Sequence, residues 1–565
     1  MLTSPHLGED LYAPGVLVTA RTPFTGAPSD YLLGETVSSG TANNRRRLFS
    51  RRSFLSFLGL GAVGGGLGAG GAATATVAGV QRGQTEAYAS AHVFNSFTRI
   101  FPQLPPFATA TPAVEEALLR MGAPGGILDA KDELSAGPIQ LITNPDLSRG
   151  NPDNPTHTAG TTFMGQFLDH DLTFDTTSRL GVPTAPESAP NSRTPTFDLD
   201  SVYGGGPLVA SHLYDPQDHV KFKVESGGLF EDLPRTPTNQ AILPDPRNDE
   251  NLIVAGLHCA FMLFHNRAVD RARVAHRLDP IETFAEAYRL TSWHYQWMIV
   301  HEFLPLFVGS AMAADILQNG PRYYRPSGFP RMPVEFQGSS YRFGHSMVRP
   351  SYRANLAGHH GGPFFGFVFD PTQDGKADPD DLRGGARAPR RFVGWQTFFD
   401  FGDGQVKHNK MIDTHISTPL FNLPLGAIPN HQPPQVLPQR NLLRQLTWSL
   451  PSGQSIARRM NVPALSAGDL DELKQFGVGF ENSTPLWYYV LKEAELMAGG
   501  LHLGPVGGRI VGEVFIGVLR ANPASYLAAN PGWRPTLPMR GGGTGEFRMV
   551  DFLTFARVDP TSRGQ

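Results

Sequence analysis

The chain has 565 residues, a formal net charge of −3 and a charged fraction of 18%. It is too nearly neutral for a nucleic-acid binder and shows no basic stripe interleaved with aromatics. A hydrophobic fraction of 40% is that of an ordinary globular protein, and the length suffices for two or three average domains or one large enzyme core. Cys259 is the single cysteine. With no intrachain disulfide, stability must come from core burial, a cofactor or a metal, and the apolar setting LHCAFMLF makes Cys259 a small buried hydrophobe.

The first expected element is a targeting segment. Ser50-Arg51-Arg52-Ser53-Phe54-Leu55 resembles the twin-arginine export motif, and the run GLGAVGGGLGAGGAATATVAGV after it is weakly apolar. So many glycines disfavour a membrane helix, while Ala87-Tyr88-Ala89 offers small residues for cleavage. Residues 1–89 are therefore expected to be an N-terminal extension and signal, and residues 90–565 one domain. The expected location is extracytoplasmic, secreted or periplasmic, reached through the twin-arginine export machinery. No stable membrane span is expected in the mature protein.

Beyond residue 90, helix-period patterns mark 251–278, 281–308 and 486–499. Pro/Gly-rich stretches at 147–160, 183–195, 355–390 and 423–438 read as loops, and strand-like alternation is sparse. The fold class is mainly α: one large domain with long loops and little β structure.

Four segments carry chemistry. In GQFLDHDLTFD (165–175), a helix would put Gln166, Asp169 and His170 on one face, with Asp171 about 100° round. Phe163, Phe167, Leu168 and Phe174 would bury that face, and a buried imidazole beside carboxylates needs partners. In TPTFDLDSVYG (194–204), hard oxygens at short spacing suit Ca²⁺, although a turn before a strand explains the pattern equally well. In the stretch from Asp245 to Asp270, Arg247 and Glu250 sit where an apolar helix begins. There an ordinary first-turn carboxylate is the simpler explanation of Glu250. In SSYRFGHSMVRPSY (339–352), His345 lies in a short helix-like segment and taken alone would be a satisfied core histidine.

Taken together, QxxDHD, the Asp/Thr loop, RxxE opening an apolar helix, RFGH, and Asn441 with Arg444 ahead of a Leu-Pro resemble the peroxidase–cyclooxygenase (animal-type haem peroxidase) superfamily. The resemblance runs from about residue 150 to about residue 460. It implies a haem-dependent peroxidase that reduces hydrogen peroxide through an oxyferryl intermediate and oxidises small organic donors, halides or thiocyanate, with a place in the response to oxidative stress. His170 then matches the distal acid–base catalyst, Arg247 the distal cation, and Gln166 an amide that contacts water or halide. His345 matches the proximal ligand of the haem b iron, and Asn441 the partner of its other nitrogen. Arg342 and Arg444 fall at positions that meet propionates. Asp169 and Glu250 match the carboxylates that some members esterify to haem. Asp171, Thr194, Thr196 (through its carbonyl), Asp198 and Asp200 match a calcium site bracing the distal helix.

Two departures bear on substrate. Asn251 stands where chloride-oxidising mammalian members carry Met, so bromide, iodide, thiocyanate or phenols are the expected reductants. Arg342 stands where cyclooxygenase-type members carry a radical-forming Tyr, with Tyr341 one position further away. A haem-dependent fatty-acid dioxygenase is therefore the runner-up, and a non-catalytic secreted adhesion protein a third reading. His301-Glu302 lacks the second His of a zinc-protease motif. His258 and His265 read as packing residues, and His359-His360 as solvated loop.

Overall fold

The computed structural model describes residues 95–276, 278–357, 362–428 and 431–565. The expected signal segment and His359-His360 lie outside the described residues. Within them helices dominate: α1 (Pro112–Met121), α2 (Gly137–Thr143), α3 (Ala159–Leu172), α4 (Leu252–His276), α5 (Pro280–Met298) and α6 (Ser310–Asn319) are followed by α7 (Leu437–Thr447), α8 (Gly453–Met460), α9 (Leu486–Ala498), α10 (Pro505–Ala521) and α11 (Met549–Ala556). Strands are short and pair only as two-stranded antiparallel ribbons: β1 (Asp153–Thr158) with β6 (His408–Lys410), β2 (Glu225–Ser226) with β3 (Glu231–Asp232), and β4 (Ser351–Arg353) with β5 (Phe365–Phe367). The mainly α expectation holds. Two expected loops contain strands: residues 153–158 form β1, with Ala159 already beginning α3, and Phe365–Phe367 form β5 within 355–390. The partner strand of β1 lies some 250 positions downstream, beyond the reach of any local pattern.

Local chemistry explains where the long helices start. α5 opens with a capping box, in which Asp279 accepts from the backbone of Glu282 and Glu282 reaches back to Asp279, with Pro280 at the first helical position. Asn251 Oδ1 accepts from the N–H groups of Ile253 and Val254 and so caps α4. α5 then widens into a π turn, Ile299–Phe303, directly ahead of Pro305. Proline has no N–H to offer the carbonyl four residues back.

α4 is long and apolar enough to cross a membrane by composition, yet it lies inside the core. Phe261 on it stacks on Phe167 of α3 at 4.7 Å, and Phe264 stacks on Phe552 of α11 at 4.5 Å. α5 packs along its length. Cys259 is fully buried there, as expected. This aromatic packing holds α3 rigidly against the start of α4, which is where the site lies.

The packing also leaves no slack at Gly160 in the first turn of α3. A Cβ there would lie 2.4 Å from the ring of the buried Phe399. Gly160→Ala is expected to lower stability by about 1–3 kcal/mol through overpacking, read as a lower urea midpoint. An unchanged midpoint would mean that the Phe399 ring can move aside without cost.

Candidate active site

A single cavity collects side chains from four elements. α3 supplies Gln166, Asp169 and His170, and the start of α4 supplies Arg247, Glu250 and Asn251. The 3₁₀ turn Ser340–His345 supplies Arg342 and His345, and α7 supplies Arg440 and Arg444. Every cofactor-facing residue expected from the sequence lines this cavity except Asn441, which reaches it through a bond to His345.

On one wall His170 is buried, with Nδ1 2.9 Å from Asn248 Oδ1. The amide nitrogen of Asn248 is committed elsewhere, to His258 Nδ1 at 3.0 Å and the Ser201 carbonyl at 3.4 Å. The oxygen of Asn248 therefore faces His170, the proton of His170 sits on Nδ1, and Nε2 is left as the acceptor nitrogen. Burial, assisted by the charge of Arg247, pushes the His170 pKa down to about 4, so the imidazole is neutral at physiological pH.

Arg247 is held by a two-point contact with Asp245, Nε to Oδ1 at 3.0 Å and Nη2 to Oδ2 at 2.8 Å. Nη2 also donates to the His170 carbonyl at 3.2 Å, and the guanidinium lies 4.3 Å over the Phe174 ring. Burial alone would raise the Asp245 carboxyl, but the charge and hydrogen bonds of Arg247 outweigh it and hold Asp245 well below the usual carboxylate range. Glu250 is pushed up to about 8, first by burial and then by Asp245 and Asp169, against the opposing charge of Arg247.

Across the cavity, His345 Nδ1 lies 2.8 Å from Asn441 Nδ2, while Asn441 Oδ1 is buried with no hydrogen-bond partner among the described residues. Turning the amide end for end resolves both facts: Oδ1 then accepts from Nδ1–H. That leaves the lone pair of Nε2 as the free donor of a ring that lines the cavity. Burial, with Arg342 and Arg444 adding to it, lowers the His345 pKa to about 3. Arg342, Arg440 and Arg444 crowd together, and burial lowers all three, with the charge of Arg444 adding to the shifts of Arg342, to about 9, and Arg440, to about 10. The buried Nε of Arg444 has no hydrogen-bond partner among the described residues.

Behind His170, the carboxylates of Asp171, Asp198 and Asp200 each bring an oxygen within 4.8 Å of the others. Burial raises all three, Asp171 to about 8 and Asp200 to about 6, and mutual repulsion adds to the shift of Asp171 and Asp198. Thr194 and Thr196 bond to Asp200 and Asp198, and Asp200 Oδ1 is buried without a partner. This segment is not a turn before a strand. Phe197 and Leu199 take left-handed backbone (φ 53° and 62°) on either side of Asp198, and a helical turn Asp200–Tyr203 follows. Non-glycine residues in that conformation are held by their surroundings and cluster at functional loops. Three clustered carboxylates with an unmet oxygen suit a hard divalent cation.

Residues 177–363 match the family model described as animal haem peroxidase. That segment, about a third of the chain, is similar to animal haem peroxidases. Among curated relatives, a chorion peroxidase of Aedes aegypti is 29% identical over 173 residues, 28% of this chain and 22% of its own. A dual oxidase of Drosophila melanogaster is 27% identical over 118 residues, 20% of this chain and 7% of its own. The chain thus spans less than a quarter of the length of either relative. Among solved structures, peroxidase A of Dictyostelium discoideum superposes with a TM-score of 0.56 at 16% identity, covering 82% of this chain and 93% of that one. That likeness concerns the haem peroxidase fold.

The similarity to animal haem peroxidases implies a haem, and the residues present suit one. The Asn441–His345 pair leaves a nitrogen lone pair for iron. The crowded guanidiniums, with an unmet donor on Arg444, suit the two propionates. Sequence reasoning missed three residues of this site: Asn248 and Asp245, which orient His170 and Arg247, and Asp175, which pairs with Arg444 at 3.3 Å. Only Asp245 had a local signal, as an Asp ahead of Pro246 at a helix start. His258, read as packing, is buried but also hydrogen-bonded to Asn248.

Asp245 holds both Arg247 and, at 3.3 Å, Arg193. Asp245→Ala removes the two-point partner of the buried Arg247 and one of the two carboxylates beside Arg193, and a loss of about 3–5 kcal/mol in denaturant stability is expected. A loss below about 1 kcal/mol would show that solvent reaches the pair.

Proposed function

We propose that the protein reduces hydrogen peroxide at a haem b ligated by His345 and oxidises small organic donors, bromide, iodide or thiocyanate. The observation that carries this reading is the pairing of a neutral, Nδ1-protonated His170 and a fixed Arg247 on one wall of the cavity with His345–Asn441 on the other.

Haem supplies the redox chemistry when bound. His170 Nε2 would take a proton from hydrogen peroxide and return it to the departing oxygen, acting as general base and then acid. Asn248 keeps the other ring proton in place throughout. Arg247 stabilises the negative charge that develops on the departing oxygen, and Asp245 and Phe174 hold it so that no reorganisation is needed. Asn441 fixes the tautomer of His345. Arg342 and Arg444 would hold the propionates, and Asp169 and Glu250 would supply ester links to haem methyls. A Ca²⁺ held by Asp171, Asp198, Asp200, Thr194 and the Thr196 carbonyl would neutralise a buried cluster and brace α3 beside His170. The twin-arginine motif at Ser50–Leu55 supports export to an extracytoplasmic location.

Tyr341 also lines the cavity, which favours a fatty-acid dioxygenase as the second reading. Its hydroxyl is committed to the Gly165 carbonyl at 3.0 Å, however, and Arg342 stands three residues before His345. The peroxidase reading accordingly comes first. Peroxide-primed oxygen uptake with a fatty acid would reverse that order.

His170→Ala is expected to retain haem, judged by absorption, and to reduce peroxide about 10²–10⁴-fold more slowly, whereas His345→Ala should fail to hold haem in its native spectrum. A wild-type protein that takes up no haem would overturn the reading. Calcium at about 100 times its Kd should add about 2.7 kcal/mol of stability. A chelator should therefore lower the thermal midpoint of the wild type but not of Asp198→Asn. Equal midpoints with and without chelator would remove the calcium site.

A further inference from the structure

Asn251 occupies a position that the peroxide chemistry does not use, and both ends of its buried side chain are committed. Oδ1 accepts from two backbone N–H groups, Val254 at 2.9 Å and Ile253 at 3.2 Å. Nδ2 donates to Gln166 Oε1 at 3.0 Å. An amide seen from its heavy atoms can normally be turned either way. This one cannot, because the α4 cap demands an oxygen and so only the NH₂ group can face Gln166.

The constraint passes on to the next residue. Gln166 must meet that NH₂ with its carbonyl oxygen, which sends its own NH₂ the other way. There one N–H donates to Glu250 Oε2 at 3.0 Å, and no second partner exists among the described residues. Gln166 lines the cavity. The wall beside His170 therefore presents an N–H donor and not a carbonyl.

We propose that Asn251 is a positioning residue that transmits the polarity of the α4 cap to Gln166 and thereby makes the distal cavity a donor site for small anions. The inference rests on the reading of this cavity as a haem pocket. Its ligand class is a small hydrogen-bond-accepting anion such as a halide. Asn251 sets that preference at two removes, by fixing which end of another side chain the ligand meets.

Asn251→Asp tests the idea while sparing the fold, since Asp caps a helix as well as Asn does. Its second oxygen requires a donor from position 166, so Gln166 must turn over: the carbonyl then replaces the N–H on the cavity wall and accepts from the protonated carboxyl of Glu250, which burial already favours. The probe is fluoride, titrated against the ferric haem-loaded protein and followed by absorption, with the thermal midpoint as the check on folding. Asn251→Asp is expected to raise the fluoride Kd about tenfold or more, with the midpoint within a few degrees of wild type. The new negative charge could weaken anion binding by itself, and a double-mutant cycle with Gln166→Ala separates the two causes. If Asn251 acts through Gln166, Asn251→Asp changes the Kd less than twofold in the Gln166→Ala background. An undiminished effect in that background would overturn the proposal, as would a fluoride Kd in Asn251→Asp within twofold of wild type. A wild-type protein that binds no haem would instead sink the haem-pocket reading, and this inference with it.

Discussion

Asp245 is the anchor of the distal side. Its carboxylate binds Arg247 through two hydrogen bonds and Arg193 at 3.3 Å, and Arg193 in turn lies 3.7 Å from Asp200. A buried charge is costly unless paired and hydrogen-bonded. This alternation of sign lets Arg247 stay charged inside the protein at a fixed position. It also joins the wall of the cavity to the carboxylate cluster behind His170, so the two proposed ligand sites share one electrostatic network.

The start of α4 carries most of this load for a backbone reason. The first N–H groups of a helix have no partner within it, so polar side chains gather there to satisfy them. Asp245 caps the 3₁₀ turn Pro246–Asp249 and Asn251 caps α4. Between the caps, Arg247 and Glu250 face the cavity while Asn248 orients His170. Capping and chemistry use the same short stretch, and aromatic stacking of α3 on α4 holds it still.

The two sides of the cavity have opposite electrostatic character. Asp169 and Glu250 lie with Arg247 on the distal side, while Arg342, Arg440 and Arg444 crowd the other edge, where Asp175 pairs with Arg444. A planar cofactor with a neutral basic centre and anionic groups at one edge matches that division. Burial disfavours the charged form on both sides, so it depresses the guanidiniums of one edge and lifts Glu250 toward neutrality on the other.

Much of this was legible in the chain. The helical periods at 251–278 and 486–499 fall on α4 and α9 because each helix presents an apolar face to one core, and period records that directly. The motifs around His170, Arg247 and His345 could be picked out because their spacing is local to single turns of helix. The β1–β6 pairing, the left-handed loop at Phe197 and Leu199, and the partnerships of Asp245 with Arg193 and Asn441 with His345 were not legible. By itself the sequence determined which residue types sit on which helix face and where helices begin, because capping and amphipathic burial act over a few residues. Only the tertiary structure decided which ring nitrogen of His170 carries the proton and which end of Gln166 faces the cavity. Those choices depend on donors and acceptors that the fold brings together from distant parts of the chain.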